Sequence, residues 1–301
     1  MTVLILDHPS WPLPPYPEWL ADLGEELILL TGRLASEIRG DGYAQVLPIP
    51  RYASSAEPER HATRIAERSV PKGLIAIAGP DRVRAGAMRD FLGIAGESAD
   101  RARVLVDLAE LRGRLSKLGV PTVPFRPVHR PADFYWSASV WGFPLRVRRR
   151  RGAGWTEAGL LRGEREISAF LPGIFEPGFV SVPSLVLEPG PGAADTRARL
   201  VSHGGDGRSS DAWAEAPGAE AARRALAALR IPVESRWAVE LRRDTAGGWL
   251  VDTVTENTAS RNTVTDNQGG FPDGAQRAVR EQLAGNRYAG DERAEEGGDD
   301  R

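Results

Sequence analysis

Four short apolar runs within the first eighty residues constrain this chain most. Thr2-Val-Leu-Ile-Leu-Asp7, Glu26-Leu-Ile-Leu-Leu-Thr31, Gln45-Val-Leu-Pro-Ile-Pro50 and Gly73-Leu-Ile-Ala-Ile-Ala78 have the length of strands, and they run apolar rather than alternating. A strand without a polar face is covered on both sides, as in a parallel sheet. Helical patterns over residues 18–24, 57–69 and 82–92 fall between and after these runs. The first hundred residues therefore read as a Rossmann-like parallel sheet. No Gly-x-Gly-x-x-Gly follows the first run, which argues against a dehydrogenase-type dinucleotide loop. His8, in the loop after that run, is either a ligand contact or a packed loop residue.

Beyond this sheet the 301 residues leave room for one or two further domains. A net charge of -2 argues against a general nucleic-acid-binding surface. The absence of cysteine excludes disulfides, thiolate nucleophiles and zinc–thiolate sites. No apolar run approaches the about 18 residues of a membrane span, and no charged segment precedes an apolar one at the N-terminus. A cytoplasmic protein with neither a membrane nor a nucleic-acid partner is expected. Lys72 and Lys117 are the only lysines among 39 basic residues, which with the alanine, glycine and proline content suggests a GC-rich bacterial genome.

The densest charge lies in Gly142-Phe-Pro-Leu-Arg-Val-Arg-Arg-Arg-Arg-Gly-Ala-Gly-Trp155. Leu145 and Val147 alternate with Arg146 and Arg148, the pattern of a half-buried strand, and Gly152-Ala-Gly154 lets backbone N–H groups approach a ligand closely. Such a stretch either binds phosphate or is a solvated hairpin end.

Upstream, residues 102–118 carry apolar side chains at Val104, Leu105, Leu108, Leu111 and Leu115, as one amphipathic helix would. Leu118-Gly-Val-Pro-Thr-Val-Pro-Phe125 follows, then Gly142-Phe-Pro and the arginine-glycine stretch. This text resembles the entry into the nucleotide-binding core of the ATP-grasp superfamily, whose enzymes usually join a carboxylate to an amine through an acyl phosphate. The resemblance implies an ATP-grasp fold: a Rossmann-like sheet followed by two α+β lobes enclosing a cleft. It implies an N-terminal domain over 1–100, a small lobe over 101–172, a C-terminal lobe over 173–275, and a helix end with a disordered charged tail over 276–301. ATP and Mg2+ are the implied cofactors, amino acid-like carboxylates and amines the substrates, and a homodimer is compatible.

By the same resemblance, Arg148, Arg150, Gly152 and Gly154 fall at the phosphates, and Glu176 falls near the adenine–ribose hinge in 172–181. Pro172 and Gly173 take the places of the hinge glutamates. Ser235-Arg-Trp-Ala-Val-Glu-Leu241 and Trp249-Leu-Val-Asp-Thr-Val-Thr-Glu-Asn-Thr-Ala-Ser-Arg261 resemble the two metal-binding strands. Glu240 is the first metal ligand. Asp252 or Asn257 is the second, according to whether the register is counted from Glu240 or from Ala259-Ser-Arg261. Arg261 and Asn262 face the acyl phosphate or the substrate carboxylate. On a regular strand Asp252, Val254 and Glu256 share one face. The proline-interrupted stretch 180–188 reads as an edge strand.

The chain departs from the family's pattern at working positions. Leu108 stands in place of a phosphate-binding lysine, and Arg148 with Arg149 in place of Lys-Pro. Arginine keeps the charge but not the shape of lysine. Two readings follow: an ADP-forming ligase, or an ATP-grasp-like protein whose nucleotide site is lost or repurposed for binding a partner. In the second, Arg148 pairs with Glu240 or Asp252, or holds an acidic ligand.

Overall fold

A computed structural model describes residues 2–151, 156–175, 183–191, 196–201, 216–231, 237–256 and 273–284. The chain divides into two units, residues 1–103 with 258–301 and residues 104–257.

The first unit is built on β1 (Thr2–Asp7), β2 (Glu26–Thr31), β3 (Gln45–Pro48) and β4 (Gly73–Ala76), all parallel, in the order β3-β2-β1-β4. Its helices are α1 (Tyr16–Trp19), α2 (Glu57–Ala66) and α3 (Gly79–Leu92), and α4 (Ala99–Val106) spans the division between the units. β3 and β4 stop two residues before their apolar runs end. Prolines at 48 and 50 remove ladder donors, and Ala78 already serves as the N-cap of α3. One face of the sheet packs Leu4, Leu6, Ile28, Leu30 and Leu74 with Ala62 of α2 and with Ala85 and Met88 of α3. The other packs Val3, Ile5, Leu27, Leu29 and Ile75 with Tyr16 and Leu20. Both faces are covered, as the unbroken apolar runs require.

In the second unit, α5 (Leu108–Lys117) follows the end of α4. Two helices form where the apolar spacing predicts one, because Asp107 leaves the helical region and caps α5. Its Oδ1 accepts from the backbone N–H groups of Ala109 at 3.0 Å and Glu110 at 3.3 Å. Val104, Leu105, Leu108, Leu111 and Leu115 still enter one core cluster. A four-stranded antiparallel sheet follows, with β5 (Arg126–Pro127), β6 (Leu145–Arg149), β7 (Glu157–Leu161) and β8 (Leu185–Pro189) in the order β5-β8-β6-β7. It carries α6 (Ala132–Trp141) and α7 (Glu164–Phe170). A three-stranded sheet of β9 (Arg197–Val201), β10 (Trp237–Arg243) and β11 (Trp249–Glu256), ordered β11-β10-β9, packs on α5 and α8 (Ala219–Ala228). Pro121 and Val123, from the Gly-Val-Pro stretch, bond to the backbone of Val251 along the outer edge of β11.

One expectation for this unit is corrected. The strand expected at an edge lies between β5 and β6. Its prolines fall at 183, before the strand, and at 189, its last residue, so the ladder between them is intact. At the start of the expected hinge, Leu171–Gly173 is a short 3-10 turn closing α7. Residues 176–182 lie outside the described residues.

The last helix, α9 (Asp273–Ala284), belongs to the first unit, where Val279 and Leu283 join the apolar cluster of Val3, Ile5 and Ile75. No helix among the described residues is long and apolar enough to cross a membrane.

Candidate functional site

β6 is not the half-buried strand that its alternation predicts. Leu145 and Val147 pack against Phe134, Leu161, Ile167 and Leu187, and Arg146 and Arg148 on the other face are also buried, at 5% and 7% exposure. What covers the polar face is ionic. Glu188, with no exposed surface, faces Arg146 across the β6–β8 ladder, and its Oε1 accepts from Arg146 Nη1 at 3.1 Å. Glu157 of β7 approaches Arg146 Nε at 3.0 Å. Arg242 of β10 lies 3.6 Å from Glu188 Oε1 and donates to the Pro189 carbonyl at 3.0 Å.

Two guanidiniums converge on Asp252. Arg148 Nη1 donates to Asp252 Oδ1 at 2.6 Å and lies 3.7 Å from Glu188 Oε2. Arg112, which has no exposed surface, donates through Nη2 to the same Asp252 oxygen and through Nε to the Asp252 carbonyl at 3.1 Å. Its Nη1 sits 2.8 Å from Glu188 Oε2, so it bridges a carboxylate of β8 and one of β11. Burial works against the Asp252 carboxylate, but Arg112, Arg148 and Arg242 outweigh it and hold its pKa below the usual range. Burial likewise opposes the charge on Arg148, yet Asp252 and Glu188, with Glu240, raise its pKa above the ordinary arginine value. Buried ions at this density persist because each has a partner within reach.

A bulge aims Asp252. The β10–β11 register pairs Glu240 with Thr253 and then Leu241 with Val251, leaving Asp252 as the extra residue. Strict alternation would put Val251 and Val254 on opposite faces, whereas both enter the apolar core. Asp252 therefore does not share the surroundings of Val254. Glu240 accepts from Thr253 Oγ1 at 3.0 Å.

The rest of the arginine run is held at the start of α5. Arg150 Nε lies 2.6 Å from Asp107 Oδ1, and its Nη2 lies 3.0 Å from Glu110. Arg151 Nε lies 2.9 Å from Asp107 Oδ2. Arg149 is exposed. Leu108, in the expected lysine's place, is a core residue. The structure thus brings Arg148 and Asp252 together and places Arg150 at Asp107. Gly152, Gly154, Glu176, Asn257, Arg261 and Asn262 lie outside the described residues.

Sequence reasoning missed Arg112, Arg242 and Glu188. Arg112 lies four residues after Leu108 and three before Leu115, inside the apolar stripe of α5, and Glu188 breaks the apolar run of β8. A charge inside an apolar stripe was the available signal.

No protein-family model and no curated protein matches the chain. Solved structures do. An L-amino acid ligase from Bacillus licheniformis superposes with a TM-score of 0.61 at 16% identity, over 94% of this chain and 74% of that one. N5-carboxyaminoimidazole synthetase from Staphylococcus aureus gives 0.58 at 11% identity, over 94% and 77%. The biotin carboxylase domain of Hydrogenobacter thermophilus 2-oxoglutarate carboxylase, solved with MgADP, ADP and bicarbonate, gives 0.59 at 13%, over 96% and 70%. The chain has the ATP-grasp fold.

An ATP-grasp fold carries the expectation of Mg2+ and ATP, and of the described residues expected to hold the metal, Asp252 does not fit that role. Asp252 Oδ1 is already engaged by two guanidiniums. Among the described residues no group of three or more His, Asp or Glu side chains is placed to hold a metal ion. Magnesium takes carboxylate oxygens that are free to coordinate it. Of the two described carboxylates expected at the metal, Asp252 is committed to arginine, while Glu240 accepts from Thr253 Oγ1.

Proposed function

We propose that this chain keeps the ATP-grasp scaffold without ATP turnover, its nucleotide site filled by internal ion pairs, and that it serves as a binding or partner protein. One observation carries the reading: Arg148, in the place of the family's strand lysine, is bonded to Asp252, in the place of a metal carboxylate, at 2.6 Å. Charge accounting supports it. Arg112, Arg146, Arg148 and Arg242 are matched by Glu188, Asp252, Glu157 and Glu240, so the cluster needs no anion to neutralise it.

The fold favours a second reading, the ADP-forming ligase. Solved neighbours are described as a ligase, a synthetase and a carboxylase. In that reading the cluster opens on binding. Arg148, Arg150, Gly152, Gly154 and Glu176 line ATP, while Glu240, Asp252 and Asn257 hold Mg2+. Arg261 and Asn262 face the substrate carboxylate, with a small lobe over 101–172 and a C-terminal lobe over 173–275. A fold by itself does not bring its chemistry.

Calorimetric titration of the full chain with ATP and Mg2+, with Glu240→Ala in parallel, separates the two readings. The first expects no saturable heat from either chain, and no phosphate release when amino acids are screened with ATP. Tight binding to the wild-type chain alone, together with amino-acid-dependent phosphate release, would overturn it in favour of the ligase.

A further inference from the structure

Among the described residues the parallel sheet of the first unit ends at β4, which pairs with β1 on one side only. An unpaired strand edge is a template for pairing with another chain, and proteins cover such edges or charge them. Here the outward backbone groups of β4 are bonded by side chains. The Ala76 N–H donates to Gln282 Oε1 at 2.9 Å, and the Ala76 carbonyl accepts from Gln282 Nε2 at 3.1 Å. One amide of α9 thereby makes the two bonds that the next strand would make. Arg89 of α3 supplies a third, donating through Nη2 to the Leu74 carbonyl at 2.6 Å and to Gln282 Oε1 at 3.3 Å. Burial lowers the Arg89 pKa to about 10, as it would for a guanidinium held mainly by carbonyl oxygens.

The fit of α9 is close. A methyl group at Gly73 would come within 2.5 Å of Leu283, so the glycine admits the helix against the start of β4. Val279 is buried among Val3, Ile5 and Ile75, and Arg280 binds Asp22 at 2.6 Å and the Trp19 carbonyl at 2.9 Å. Three independent anchors set the amide of Gln282 over the edge.

We infer that α9 is an edge cap in which Gln282, with Arg89, replaces a fifth strand and keeps β4 from pairing with the β4 of a second copy. The inference concerns the first unit alone and stands whichever reading of the second unit is correct.

The test uses the full chain with Gln282→Met, which keeps length and apolar packing but removes both bonds to Ala76. Gln276→Ala, an exposed change on the same helix, is the control. Hydrogen exchange at Ala76 should speed up about tenfold in Gln282→Met. Sedimentation velocity should show self-association that rises with concentration beyond that of the wild type, and Gln276→Ala should match the wild type on both measures. Gln282→Asn, whose amide is one methylene too short, should reproduce Gln282→Met and replaces it if that variant does not fold. Unchanged Ala76 exchange overturns the inference. So does unchanged association, or equal association in Gln276→Ala.

Discussion

Arg148 and Asp252 lie 104 positions apart in sequence, and the guanidinium of one donates to the carboxylate of the other at 2.6 Å with both side chains buried. Two groups that the resemblance assigns to a nucleotide and its metal are bonded to one another. That contact joins β6 to β11, and Arg112 ties the same carboxylate to β8. The cluster is thus also part of what holds the second unit together.

Breaking the contact should destabilise the chain. Arg148→Ala leaves Asp252 buried with Arg112 as its remaining close partner, at a cost of about 3 kcal/mol, the lower end for a broken buried pair. Adding Asp252→Asn should recover much of the loss. Urea unfolding of both variants checks this, and an Arg148→Ala chain as stable as the wild type would refute it.

Arg112 should matter more than Arg148, because it bridges two fully or nearly fully buried carboxylates. Arg112→Leu takes one guanidinium from both Glu188 and Asp252, leaving them Arg146 and Arg148, and should cost about 3–5 kcal/mol. Arg112→Lys should not restore stability, since an ammonium cannot span both acids as the planar fork does. Thermal unfolding of the two variants should rank both below Arg148→Ala.

The first unit holds a carboxylate whose titration runs opposite to that of Asp252. Burial raises Asp81 to about 6, though Arg84 and the Tyr52 hydroxyl, which donates to it at 3.1 Å, act against the shift. The native state then binds this proton more tightly than the unfolded chain does. Stability contributed by the group is present at low pH and is lost as pH rises from about 4 to about 6. Asp81→Asn should remove that slope and leave the variant more stable at neutral pH, by at most about 3 kcal/mol. Denaturation midpoints of the two chains at both ends of this window decide it. Asp252, with its depressed pKa, gives the reverse: its contribution is present above the ordinary carboxylate range and is lost on acidification below it.

Gly86 in α3 should resist a substitution that helix propensity favours. A methyl group there would come within 2.6 Å of the Ala99 backbone nitrogen at the start of α4. Gly86→Ala gains up to about 1 kcal/mol of propensity but incurs roughly 1–3 kcal/mol of overpacking against backbone. A net fall in the melting temperature is expected.

Much of the fold was legible because its signals are local. The unbroken apolar runs at 2–7 and 26–31 match β1 and β2 residue for residue, and the apolar positions of 104–115 all reach the core. The break at Asp107 was not legible, because an aspartate that caps a helix and one on a helix surface read alike until Arg150 and Arg151 arrive from forty residues away. The edge assignment of β8 failed for a related reason: proline removes one donor, and only the neighbouring strands decide whether that donor was needed.

The sequence by itself determined which residues would be apolar and which would be charged, and its resemblance drew attention to Arg148, Glu240 and either Asp252 or Asn257. Only the tertiary structure decided what those charges do. A strand pattern states that Arg146 and Arg148 share a face, but whether that face meets water, phosphate or carboxylate depends on Glu188, Arg112 and Asp252 arriving from β8, α5 and β11. The bulge that aims Asp252 arises from pairing between β10 and β11 rather than from either strand alone. Electrostatic partners are chosen by distance in space, and a linear pattern carries that distance only between near neighbours.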